Sequence, residues 1–156
     1  MLAIFVAVCV VVRLTFNWIP NFTAVTSLLL LICFYFGLLD SLIVANIMLI
    51  ATGIYLGMGY WVVGQMLAYS VVLVVYFFLM KVQPLRGLIP QMLIAFVCGL
   101  VYGFIISLFI VFILRISNFW AYYLTGLPFD LTHATGNFLF MLVLKKPIER
   151  LRKRVS

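Results

Sequence analysis

Acidic residues are nearly missing from this chain: Asp40, Asp130 and Glu149 are the three in 156 residues, and charged residues of both signs make up 8% of it. Soluble domains carry roughly a quarter charged residues, so a water-exposed globular fold is excluded. Also missing are the glycine signatures of nucleotide chemistry. No lysine follows a phosphate-loop pattern and no dinucleotide fingerprint occurs, so no nucleotide hydrolysis and no intrinsic cofactor are expected of the chain itself. Cysteine is sparse and odd in number. Cys9, Cys33 and Cys98 each lie inside an apolar run, where a thiol serves as a small hydrophobe, and neither a disulfide nor a metal-ligand role is expected. The first apolar run has no basic stretch before it and no small-x-small cleavage pattern after it, so it reads as a retained helix and not as a signal peptide.

What is present is apolar: 68% of the residues, gathered into runs at roughly 2–16, 22–39, 41–56, 62–80, 91–114 and 128–144. Each approaches the ~20 residues that cross a ~30 Å hydrocarbon core, the first and third falling short. Lipid offers no partners to backbone N–H and C=O groups, and barrel strands would alternate in polarity, so continuous runs predict helices. The expected architecture is all-α: a polytopic membrane protein, one domain of six transmembrane helices, with a basic tail at 145–156. That tail holds six of the ten lysines and arginines, and Lys81 and Arg86 add two more. With an even number of helices these eight share a face, which the positive-inside rule makes cytoplasmic. Both termini are then cytoplasmic, as is a tight turn near Gly37 and Asp40, while the connections 17–21, 57–61 and 117–129 lie outside. The net charge of +7 reports topology and contact with anionic lipid, and nucleic acid is not an expected partner.

Trp18, Trp61 and Trp120 all fall in those three outer connections. Around them, in the connections and adjoining helix ends, are Arg13, Asn17, Asn21 and Thr23, then Tyr55, Tyr60 and Gln65, then Arg115, Asn118, Phe119, Tyr122 and Tyr123. An aromatic belt at the headgroup level is one reading and a recognition surface is the other. The opposite helix ends carry no Trp, so a belt accounts for half of the pattern. Asp130, His133 and Asn137 are spaced i, i+3, i+7, one stripe on a helix of Leu, Phe, Met and Thr, and should face the bundle interior or a cavity. Asp130, two residues after Pro128, is equally placed to cap a first turn. No second His or carboxylate accompanies His133 at ligand spacing, so no metal site is expected. Trp61, Gln65 and Ala68 lead along one face toward Tyr69, which suits the wall of a pocket for a planar polar ligand. Asn46 should hydrogen-bond another helix. The pairs Ala3/Ala7, Gly53/Gly57 and Gly99/Gly103 should let helix backbones approach, with Ala3/Ala7 open to a partner helix.

Four segments together resemble a family. Ala3-x-x-x-Ala7, the stretch Asn17-Trp18-Ile19-Pro20-Asn21-Phe22-Thr23-Ala24-Val25-Thr26, the stretch Gln65-Met66-Leu67-Ala68, and Pro128-Phe129-Asp130-Leu131-Thr132-His133-Ala134-Thr135-Gly136-Asn137 look like the substrate-binding S-component of an energy-coupling-factor (ECF) vitamin transporter. The resemblance runs along essentially the whole chain and is nearest to the cobalamin-specific group. It implies a bacterial plasma-membrane protein that binds a vitamin in an outward-facing cavity capped by the 1–2, 3–4 and 5–6 loops. It further implies docking through the Ala3/Ala7 face on a transmembrane coupling subunit, and toppling of the chain when two cytoplasmic ATPases use ATP to drive release. The substrate-binding residues expected are Asn17, Trp18, Asn21, Tyr60, Trp61, Gln65, Trp120, Tyr123, Asp130, His133 and Asn137. For a cobalamin ligand, His133 is expected to hydrogen-bond a peripheral amide in preference to coordinating cobalt. Two other classes stay open: a structural membrane protein of a cell-envelope assembly, and an intramembrane enzyme using Asp130 and His133 as acid and base.

Overall fold

A computed structural model describes residues 1–15 and 20–155. These form six α-helices, α1 Leu2–Thr15, α2 Val25–Phe36, α3 Leu38–Leu56, α4 Tyr60–Leu79, α5 Leu88–Leu114 and α6 Phe119–Val155, with a short 3-10 turn at Gln83–Arg86. No strand occurs among the described residues. Four helices, α3 to α6, are long and apolar enough to cross a membrane. The other two are apolar but shorter, at 14 and 12 residues, and at 1.5 Å per residue α2 rises only about 18 Å.

Helix α2 is the post around which the others stand. Every residue from Val25 to Cys33 is buried, and α1, α3, α4, α5 and α6 all touch it. A helix that is apolar nearly all round lies either in a protein core or in lipid, and α2 takes the core. The remaining helices follow one another around it in the order α1, α3, α4, α5, α6. Their outward faces expose Ile43, Ile47, Ile50 and Ile54 on α3, Val71, Val75 and Phe78 on α4, and Leu93, Val97 and Val101 on α5. Continuous exposed aliphatic faces are a liability in water and the expected surface in lipid.

Two local features set the packing. Gly37, at φ +116°, is the entire connection between α2 and α3, a backbone state that a side chain would strain. Ser41 Oγ donates to the Leu29 carbonyl across that turn at 2.7 Å. On α5, Gly99 and Gly103 form the close approach that their spacing implies: a Cβ on Gly99 would lie 2.7 Å from Ala134 Cα, and one on Gly103 would strike the Asp130 carboxylate. The stripe of α6 carrying Asp130 and Asn137 is thereby pressed against α5.

Several expectations need correction. The sixth helix begins at Phe119, not 128, so most of the anticipated 117–129 loop is helical. Asn118 is its cap, its Oδ1 accepting from the Ala121 N–H at 3.0 Å. Pro128 therefore lies inside the helix and Asp130 sits about three turns in, which removes the capping role considered for it. The helix also continues through Pro147, so the basic tail is ordered: Ile148 is buried, Lys145 Nζ donates to the Arg86 carbonyl at 2.9 Å, and Arg152 stands over the Phe36 ring. Helix α2 occupies 25–36 within the expected 22–39. Asn46 donates to the Leu42 carbonyl of its own helix at 2.8 Å and not to a neighbour. Gly57, at φ +102° with open space around it, ends α3 and is no packing notch.

Candidate functional site

The α3–α4 and α5–α6 connections and the segment leading into α2 lie at one end of the bundle, where a cavity of about 530 Å³ opens. Its wall draws on nearly every element: Arg13 from α1, Asn21, Phe22 and Thr23 ahead of α2, Leu56 from α3, Gln65 and Tyr69 from α4, Tyr102, Ile106 and Ser107 from α5, and Tyr122, Thr125, Phe129, Asp130 and His133 from α6. That volume falls within the range of small-molecule sites.

His133 fixes the floor. Its Nδ1 faces the Asn21 carbonyl at 3.1 Å and its Nε2 the Thr26 hydroxyl at 3.1 Å, while Thr26 Oγ1 also reaches Tyr69 Oη at 3.4 Å. A carbonyl can only accept, so the Nδ1 carries the proton, and in the neutral ring Nε2 takes the Thr26 hydroxyl hydrogen. Asn21 aims its carbonyl by adopting a left-handed conformation, φ +59°, one that Asn tolerates better than most residues. Ser27 Oγ donates to the Asn137 carbonyl at 2.8 Å. The segments 21–27 and 130–137, more than a hundred residues apart, are thus joined by three hydrogen bonds. Rings continue the surface: Tyr102 stands 5.2 Å from the His133 ring and 4.6 Å from that of Tyr69.

Two opposite charges face the same space. Arg13 is half-buried; its Nη2 donates to Gln65 Oε1 at 2.8 Å and its Nη1 lies 4.0 Å from Met48 Sδ. A cation on an otherwise apolar helix is costly unless it faces protein or a cavity. Asp130 is buried, with no hydrogen-bond partner for Oδ2. The ion pair within 4.0 Å found among the described residues is Glu149 with Lys153 on the distant α6 extension, so Arg13 and Asp130 do not neutralise each other. Below the cavity, Asn137 is fully buried with both side-chain polar atoms unpartnered. Among the described residues no cluster of three His, Cys, Asp or Glu could hold a metal.

The sequence-predicted residues divide into groups. Asn21, Gln65, Asp130 and His133 line the cavity. Tyr60, Trp61, Trp120 and Tyr123 do not: Trp61 folds back over Gly59 and against Tyr60, and Trp120 packs on Phe119 and Tyr123, both tryptophans being well exposed. For these rings the belt reading has the geometry in its favour. Asn17 and Trp18 lie outside the described residues. Ala3 and Ala7 are exposed, beside the exposed Ile4, Val8 and Val11. Sequence reasoning places Arg13 on the outer face without counting it among the binding residues, and it does not single out Tyr102. A lone cation in the first apolar run is the available signal for Arg13, whereas Tyr102 stands in an apolar helix with only its hydroxyl to mark it. No family model, curated protein or solved structure matches the chain.

Proposed function

We propose that this chain is the substrate-binding subunit of an ATP-driven micronutrient importer of the ECF type, set in the bacterial plasma membrane. The observation that carries the reading is the cavity itself: about 530 Å³, walled by Arg13, Asp130 and the adjoining rings of Tyr69 and Tyr102, inside a bundle whose outer faces are aliphatic. Charged groups at membrane depth mark ligand or ion pathways by default. In support, the segments that carry the resemblance, 21–26 and 130–137, are the ones bonded together through His133 beneath that cavity.

In this reading all six helices cross the membrane, both termini and the basic end of α6 are cytoplasmic by the positive-inside rule, and the cavity faces outward. Ala3 and Ala7 are two small notches on an exposed apolar ridge, a surface on which a coupling-protein helix packs closely. The coupling protein and its two ATPases supply the energy, with ATP consumed there. The ligand is vitamin-sized. Cobalamin, nearest by resemblance, would need the cavity to widen, since a corrinoid with its nucleotide tail exceeds it; a smaller ring-containing ligand fits as it stands. An acid–base role for His133 draws less support, because both its nitrogens are engaged in structural hydrogen bonds.

The test is affinity purification from native membranes of the wild-type chain and an Ala3→Trp/Ala7→Trp variant. The wild type should bring down a coupling protein and ATPases, and the variant should lose them at unchanged melting temperature. Wild type without any ATPase would sink the proposal. A collapse of stability in the variant would instead show that the pair packs within the bundle.

A further inference from the structure

We propose that Asp130 accepts an N–H of the ligand, from an exocyclic NH₂ on a ring, while Arg13 and Gln65 take a carbonyl or carboxylate at its other end. The ligand class is then a flat aminoheterocycle, neutral or bearing a carboxylate at its far end. This rests on the cavity being a ligand site and specifies its chemistry.

Three observations carry it. First, Asp130 lines the cavity at 8% exposure, its Oδ2 closed off and no donor among the described residues bonded to its carboxylate. A buried carboxylate keeps its charge at a high desolvation cost unless donors reach it. Arg13, the cavity's cation, is beyond ion-pair distance and already holds Gln65. A donor brought by the ligand satisfies the carboxylate where the protein does not. Second, Gly103 lies directly against this carboxylate, and any Cβ there would displace it. The small residue leaves α6 close enough for Asp130 to sit at the wall. Third, the rings of Tyr69, Tyr102 and His133 adjoin one another alongside at 4.6 and 5.2 Å, tilted by 47° and 36°, an aromatic wall for a ring-containing partner. With Oδ2 closed off, one carboxylate oxygen is left to accept an N–H from the edge of such a ring, a charge-assisted bond stronger than one between neutral groups.

The test uses two probes that differ at one position: 2-amino-4-oxopteridine-6-carboxylate, which offers the donor edge, and its 2,4-dioxo analogue, which puts an oxygen there. Binding to the purified full chain in nanodiscs is read by quenching of probe fluorescence. The amino probe should bind about tenfold or more tighter, the worth of a hydrogen bond to a charged group. Asp130→Asn should erase that preference, while Arg13→Gln should weaken both probes. Equal affinity of the two probes for wild type, or binding of neither, overturns the proposal without needing any variant to fold. Co-purification with ATPases is unaffected by that outcome, so the importer reading stands or falls separately.

Discussion

Gly99→Ala probes the contact that brings the polar stripe of α6 against α5. The added methyl carbon would lie 2.7 Å from Ala134 Cα and 3.0 Å from Ala134 N, and both are backbone atoms that no rotamer change can move. Carbon atoms rest at about 3.5–4.0 Å, so the two helices must separate by roughly 1 Å along their seam. Overpacking of this kind costs about 1–3 kcal/mol. The better helix propensity of alanine returns at most about 1 kcal/mol, leaving a net loss of up to about 2 kcal/mol. Gly126→Ala is the matched control: it lies in α6, and a methyl group there would meet nothing within 4 Å, so it should be neutral or slightly stabilising. Thermal unfolding of both variants in detergent, followed by circular dichroism, compares them directly. Equal melting temperatures for the two would refute the close α5–α6 approach.

Thr26→Val, which keeps the shape and removes the hydroxyl shared with His133 and Tyr69, should cost about 1–2 kcal/mol, whereas Thr132→Val, whose hydroxyl serves only its own helix, should change stability by less than about 0.5 kcal/mol; chemical or thermal unfolding checks the pair. Cysteines appended at either end should react with impermeant reagents in inverted vesicles and not in intact cells, and labelling of one end alone from outside would break the six-crossing topology.

Much of the helical organisation is legible in the sequence because lipid forces the backbone to satisfy itself, so long apolar runs have one available answer. The stripe of Asp130, His133 and Asn137 is legible for a related reason: polar groups repeating at helical spacing must turn inward, and all three are buried. The start of α6 is hidden because Pro128 resembles a first-turn proline, while Asn118 ten residues earlier does the capping. In lipid a helix tolerates an internal proline, since neighbours re-satisfy the freed carbonyl. Trp61 and Trp120 draw attention by type, yet their positions relative to the cavity depend on helix rotation, which an apolar sequence barely encodes. Asn46 finds its acceptor one turn back because a short amide reaches its own helix more easily than a neighbouring one. Arg13 on α1 and Gln65 on α4 come together only because both helices pack on α3, a tertiary fact with no local signature.

If the cavity holds a small polar molecule between Arg13 and Asp130, that molecule should travel with the protein. Native mass spectrometry of the chain purified from its own membranes tests this most directly, with Arg13→Leu as the comparison at matched helicity. One small-molecule adduct per wild-type chain is expected, absent from the variant. A wild-type chain that is bare in every preparation and gains no melting temperature from a metabolite extract, or an adduct that survives Arg13→Leu undiminished, would contradict it.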